Sequence, residues 1–345
     1  MRRLITVVVV IAVLGLGTSR GLDWWNYTVN TPLSTTSQQV VFHVESGELA
    51  SQIGDDLYSQ HLIRDRNAFD LYIRLTNAGP KFEAGSFVLN RNMTMAQIVD
   101  ALEHGRPDQL AVTIPEGFPL KFQAEYVQKS GLGTAADYLA AAKDPALAAQ
   151  YDFLSSRPST ADPPLEGYLF PDTYLVDKTG GVKELVKAQL DQFGSVFSTA
   201  LRRQIAAATP ARPAESVESI VILASMVERE ANKDSDRGNV CSVYYNRLKI
   251  GMPLGVDGTL LYALGRLTPE PTYAELQLNS PYNTRKHAGL PPGPISNPGK
   301  AALLACINPP QTKYLYYFTD PQGVTHFETN QADFCRDLQN HGMNC

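Results

Sequence analysis

Two glutamates stand two residues apart, Glu228 and Glu230, in the most regular helical stretch of the chain. Across residues 215–232, Ile220, Leu223, Ala224, Val227 and Ala231 recur at i, i+3, i+4 and i+7 spacing, which predicts one apolar face. At about 100° per residue, Arg229 lies opposite that face and the glutamates flank the stripe roughly 80° to either side. A carboxylate at such an edge is partly desolvated. Desolvation disfavours the anion, raises the pKa and makes the group a usable general acid. Periodicity does not choose between Glu228 and Glu230, and the same pattern also suits the solvated rim of an ordinary amphipathic helix.

Two loops give the glutamates a context. Leu165-Glu166-Gly167-Tyr168-Leu169-Phe170-Pro171-Asp172-Thr173-Tyr174 packs aromatics, two acids and a proline into one short run. Ser280-Pro281-Tyr282-Asn283-Thr284 and the Pro/Gly-rich stretch 289–299, which contains Asn297, are similarly stiff. Rings that cover sugar faces, with amides and carboxylates that bond hydroxyls, would suit a carbohydrate groove. Rigid turns around an aromatic core would use the same composition. Other chemistries find little support. The histidines His43, His61, His104, His287, His326 and His341 are scattered with no HExxH spacing, so no metal is expected, and no cofactor. There is no GxSxG and no P-loop.

The elements that must position these residues form a mixed α+β pattern. Residues 40–44 have strand character, Glu45-Ser46-Gly47 a turn, and Leu49, Ile53 and Leu57 helical spacing. Residues 86–102 and 112–127 repeat the strand–turn–helix order weakly. Residues 133–165 are rich in Ala, Asp, Ser and Pro, residues 155–164 with three prolines read as a surface loop, and Pro210 and Pro213 mark a break before the glutamate helix. A helix is expected over 240–248, short helical pieces over 274–278 and 300–305, and a hairpin pairing 314–319 with 325–328 around Gly323.

The chain has 345 residues, 43% hydrophobic and 19% charged, ordinary for a globular protein of about two domains. A net charge of −5 and the lack of a basic block argue against a nucleic-acid partner. Arg2 and Arg3 precede the apolar run 4–17, and Trp24 and Trp25 follow it. That pattern predicts an export signal or retained anchor over 1–20, with the positive end held in the cytoplasm. Residues 21–38 are polar and read as a linker. Cys241, Cys306, Cys335 and Cys345 allow three full pairings, and spacing selects none.

Several motifs in order resemble the YceG-like (MltG) family of endolytic murein transglycosylases. They are 165–174, Ala224-Ser225-Met226-Val227-Glu228-Arg229-Glu230-Ala231, Tyr245-Asn246-Arg247-Leu248, 257–265, Tyr282-Asn283-Thr284, 289–299 and His326-Phe327. The resemblance runs from about 40 to about 330. It implies an α+β architecture: a small βα LysM-like domain over 39–110, and a catalytic domain over 111–340 with a lysozyme-like helix carrying the catalytic glutamate. It places the acid/base on Glu230, with Glu228, Glu166, Tyr168, Asp257, Thr259, Tyr282, Asn283 and Asn297 lining or supporting the cleft. Gly255-Val256-Asp257-Gly258-Thr259 departs from a more usual Gln-Ser-Asp-Pro-Thr, and Glu328 stands where Ser or Thr is commoner. The implied reaction cuts MurNAc–GlcNAc bonds and leaves 1,6-anhydro ends, terminating nascent glycan strands. The implied partners are peptidoglycan strands, cell-wall synthases and the inner membrane, with the catalytic part on its extracytoplasmic side. A hydrolytic muramidase using Glu166 or Asp257 to activate water, or a non-catalytic peptidoglycan-binding scaffold, would fit the same residues.

Overall fold

The computed structural model describes residues 21–104, 109–155, 157, 163–178, 180–213 and 215–345, and its class is mixed α+β. The anchor expected over 1–20 lies outside the described residues. Among those described, no helix is long and apolar enough to cross a membrane. The chain divides into two compact units. One takes the sequence to Val112 together with the strand Thr173–Asp177; the other takes Thr113–Asp172 and Gly180–Cys345.

The first unit begins with helix α1, residues 21–30, where a polar linker was expected. Its Thr28 and Val29 are buried, and Trp25 stacks on Tyr72 at 6.3 Å between centroids, so this stretch belongs to the packed unit. Strand β1 (Gln39–Val44) alternates, with Phe42 and Val44 turned inward. It pairs antiparallel with β2 (Gly85–Asn90), Phe42 opposite Phe87. Between them run α2 (Ala50–Ser59) and α3 (Arg66–Thr76). The sequence reading lacks α3, although its signals are local: the Asp65 side chain caps the amides of Asn67 and Ala68, and Asn77 ends the helix at φ 54°. Gly54 lets the two helices close, because a Cβ there would lie 2.8 Å from the Phe69 ring. Helix α4 (Met95–His104) adds Ile98, Val99 and Leu102 to the core, and β3 (Gln109–Thr113) pairs with β4 (Thr173–Asp177).

The second unit is helical, with α5 (Leu120–Ser130), α6 (Ala135–Ala141), α7 (Pro145–Ala148), α8 (Gly181–Val196), α9 (Thr199–Ile205), α10 (Val217–Glu230), α11 (Asp234–Lys249), α12 (Asp257–Ala263) and α13 (Lys300–Ile307). A hairpin, β5 (Tyr316–Thr319) and β6 (Thr325–Glu328), and α14 (Gln331–Asn340) complete it. The Ala-rich stretch before residue 155 holds α6 and α7. Helix α10 is more buried than an amphipathic pattern predicts: every residue from Ile220 to Val227 is enclosed. A helix apolar on all sides belongs at the centre of a domain, and α10 packs on α11, α12 and α13. The bridge Cys241–Cys306 ties α11 to α13, and Cys335–Cys345 closes the C-terminal turn. The Pro-rich break before α10 is organised by buried Arg212, whose guanidinium donates to the carbonyls of Gln204, Ile205, Ala207, Pro213 and Ile307.

Candidate active site

The two glutamates of α10 part company at the end of the helix. Glu228 turns to one side, where its oxygens meet Arg237 Nη1 at 2.8 Å and the amide of Gly299 at 2.9 Å. Its side chain is 5% exposed, so the ion pair is shielded and its oxygens are engaged. Glu230, the last residue of α10, turns to the other side. There the Tyr317 hydroxyl donates to Oε2 at 3.0 Å, and Tyr244 Oη lies 3.0 Å behind that hydroxyl. Burial pushes the Glu230 carboxyl above its usual range, reinforced by the charge of Asp257, while the Tyr317 and Gly258 hydrogen bonds pull it down. The outcome is a carboxyl that holds its proton more readily than an exposed glutamate. Oε2 accepts from Tyr317, and Oε1 lies on the side of Gly258. Gly258 keeps space beside that oxygen, since a Cβ there would stand 3.6 Å from it.

Helix α12 links this carboxyl to a cleft. Gly258, near its start, approaches Glu230, and Tyr262, one turn later and about 6 Å along the axis, lines a cleft of about 490 Å³ with Phe122, Glu166, Arg266 and Tyr282. Tyr262 and Tyr282 pack with centroids 5.1 Å apart, giving the cleft an aromatic wall of the kind that covers sugar rings. Asp257, the first residue of α12, is held by Arg285 through two contacts of 2.6 and 2.8 Å.

The remaining residues singled out in the sequence brace these parts. Glu166 is 2% exposed and accepts from the Leu120 amide, Asn297 Nδ2 and the Tyr262 hydroxyl. Asn297 is fully enclosed: its Oδ1 accepts from the Leu169 amide and its Nδ2 also donates to the Phe118 carbonyl, so one amide joins three loops. Thr259 bonds the Val256 carbonyl and Thr284, and Asn283 donates to the carbonyls of Leu276 and Leu278. Tyr168 lies in the core, its hydroxyl on Glu218 at 2.6 Å and its ring beside Phe153 and Phe193. It faces no groove. Of the expected set, Glu230, Asp257 and Tyr282 stand at open positions around α12; Tyr168, Thr259, Asn283 and Asn297 are internal supports.

The residues missed are Tyr317, Tyr244, Arg237, Arg285 and Tyr262. Tyr317 lies in a strand correctly placed by sequence, but its partner is 87 residues away. A motif did point there: Asn246 and Arg247 bond the carbonyls of Tyr314 and Leu315 and so dock the strand that carries Tyr317.

Burial without full neutralisation also raises Glu166, to about 7. In the unfolded chain the same group titrates near 4.5, so between these values the folded state holds a proton that the unfolded state has released. Stability therefore falls as pH rises through that window, by up to about 3 kcal/mol. Urea unfolding at pH 5 and pH 8 will show the loss, and Glu166→Gln will flatten it.

The model of the YceG-like family matches residues 42–340. The chain belongs to the YceG-like family. A relative from Bacillus subtilis (strain 168), named endolytic murein transglycosylase, is 32% identical over 306 residues, covering 86% of this chain and 83% of its own. A relative of the same name from Streptococcus pneumoniae (strain R6) is 28% identical over 369 residues, and the match spans 98% of this chain but 64% of that longer protein. The crystal structure of a yceG-like protein from Listeria monocytogenes superposes with a TM-score of 0.58 at 28% identity, over 87% of this chain and 99% of that one. This family member thus shares its fold with a solved relative.

Proposed function

We propose that this chain is an endolytic murein transglycosylase, with Glu230 as its single acid and base. The observation that carries the reading is the raised, half-buried carboxyl of Glu230 at the end of α10, beside the cleft-lining helix α12, in a family with relatives that bear that name. In its protonated form Glu230 gives its proton to the glycosidic oxygen as the C1–O bond of MurNAc breaks through an oxocarbenium-like state. The C6 hydroxyl of the same sugar then closes on C1 and returns its proton to Glu230. The ring ends as 1,6-anhydro-MurNAc, and neither water nor a second free carboxylate is consumed. Asp257 and Glu166, the carboxylates a hydrolase would need, are engaged by Arg285 and by internal donors, which favours the anhydro route.

The unit β1-α2-α3-β2 is LysM-like in this reading. Its groove of about 540 Å³, bounded by Glu45, Leu49, Asn77 and Phe82, is where glycan would lie. Residues 1–20 act as a membrane anchor that holds the enzyme on the outer face of the plasma membrane, beside the synthases whose strands it ends. Two disulfides fit such an oxidising setting.

Mass analysis of muropeptides released from purified peptidoglycan tests the chemistry. Anhydro ends are expected; reducing MurNAc ends would make the protein a hydrolase, and binding without release a scaffold. Tyr317→Phe gives a finer test. Tyr317 donates to Glu230 and holds its pKa down, so its loss raises that pKa further. The alkaline limb of the pH–rate profile should move to higher pH, with a rate reduced about tenfold at the optimum.

A further inference from the structure

Folding assembles three potential ligands that have no recognisable spacing in the chain. Asp320, in the turn of the β5–β6 hairpin, is buried, and its Oδ1 accepts the amides of Gln322 and Val324, both at 2.9 Å. Its Oδ2 points instead at two imidazoles, 2.9 Å from His326 Nε2 and 3.9 Å from His341 Nε2. The ligand atoms of the three residues all lie within 4.8 Å of one another.

The tautomers sharpen this picture. His341 Nδ1 is 2.9 Å from the Asp337 carbonyl, where only an N–H can bond, so in the neutral ring Nε2 carries the lone pair and faces the Asp320 carboxylate. A cation between that lone pair and the carboxylate, a proton or a metal ion, would join the two, and a metal ion would also take the place of the hydrogen bond between His326 Nε2 and Asp320 Oδ2. A ligating histidine usually donates its other nitrogen to a carbonyl or carboxylate. His341 does so here, and His326 Nδ1 faces the Asp337 carboxylate at 3.6 Å. Phe318 fixes both rings, stacked on His326 at 4.9 Å and edge-on to His341 at 5.7 Å. The Cys335–Cys345 bridge closes the segment that holds Asp337 and His341.

We propose that Asp320 Oδ2, His326 Nε2 and His341 Nε2 form a binding site for a divalent first-row transition metal of the zinc class. At metal–ligand bonds of about 2.1 Å, tetrahedral ligand atoms lie about 3.4 Å apart, between the 2.9 and 3.9 Å found here. Two nitrogens and one oxygen suit zinc and disfavour magnesium or calcium, which prefer oxygen alone. The histidine side chains are 25% and 26% exposed, which leaves one side open for a water as fourth ligand. The metal would pin α14 to the hairpin whose β5 carries Tyr317, as a structural staple behind the strand that partners Glu230.

Tag-free protein, stripped with chelator, should be titrated with zinc chloride by calorimetry and with cobalt(II) by visible absorption. One zinc per chain, a rise in melting temperature with zinc, and tetrahedral cobalt bands are expected. His341→Ala and Asp320→Asn should each weaken zinc binding by at least about tenfold; the asparagine keeps an acceptor for the turn amides. His287→Ala should bind as the wild type does. Wild-type protein that takes up no zinc and gives no cobalt bands, or variants that bind zinc as tightly as wild type, would overturn the site. Muropeptide release plays no part in these readouts, so they stand or fall separately from the transglycosylase reading.

Discussion

Glu230→Gln will cut the release of anhydromuropeptides by between about 100- and 10,000-fold, the range general acid–base catalysis supplies, while leaving the fold in place. Glutamine keeps an oxygen that accepts from Tyr317 and fills the same volume, so the Tyr244–Tyr317 relay stays intact. What it lacks is the transferable proton, and the proposed reaction uses that carboxyl twice. Glu228→Gln will do the opposite. It leaves Arg237, with 10% side-chain exposure, without its buried ion-pair partner, and the contact that remains within ion-pair distance is the exposed Asp234. Breaking a shielded pair from one side costs about 3 kcal/mol, visible as a lower melting temperature with turnover at low temperature largely kept. Single-turnover muropeptide release and thermal melts on the two variants will separate these roles. Equal loss of activity in both, with equal melts, would undo the assignment.

Removing the Cys241–Cys306 bridge, as the Cys241→Ala/Cys306→Ala pair, will destabilise the second unit by about 4 kcal/mol. The bridge closes a loop of 65 residues, and chain-entropy arguments give about that figure for the freedom returned to the unfolded chain. Both cysteines are wholly enclosed between α11 and α13, so two alanines also leave a small void. For a unit of this size the melting temperature should drop by about 8–16 °C. Scanning calorimetry will measure it. A shift of a degree or less would mean that helix packing alone fixes α11 on α13.

The sequence carried the local facts and concealed the distant ones. The β5–β6 hairpin was legible because alternation and Gly323, at φ 77°, are neighbours in the chain. Helix α10 was legible because its apolar residues recur at the helical period. Which glutamate pairs with an arginine and which meets a tyrosine was not, since the deciding contacts are Arg237 and Gly299 for Glu228 and Tyr317 for Glu230, and helical periodicity reaches none of them. Tyr168 was expected in a groove because an aromatic loop looks the same whether its rings face a sugar or a core. Asn297 and Asn283 were expected near substrate because amides suit sugars, yet both spend their bonds on loop carbonyls and amides. The α1 segment reads as part of a polar linker because Thr and Ser recur just after it, over 31–37, while its own Trp25, Thr28 and Val29 pack into the unit and Tyr27 meets Arg64.

The pairing of β3 with β4 has a consequence for how such a protein can be made and remodelled. The first unit is not a continuous stretch: its last strand arrives only after the chain has left for α5–α7 and returned. A ribosome delivers residues from the N-terminus, so this unit stays one strand short until Asp177 has emerged, and α5–α7 have emerged by then. Nor can it be traded as a cassette by cutting at one boundary, because a cut near residue 110 abandons β4 with the other unit. Replacing the first unit therefore requires exchanging two separate segments together.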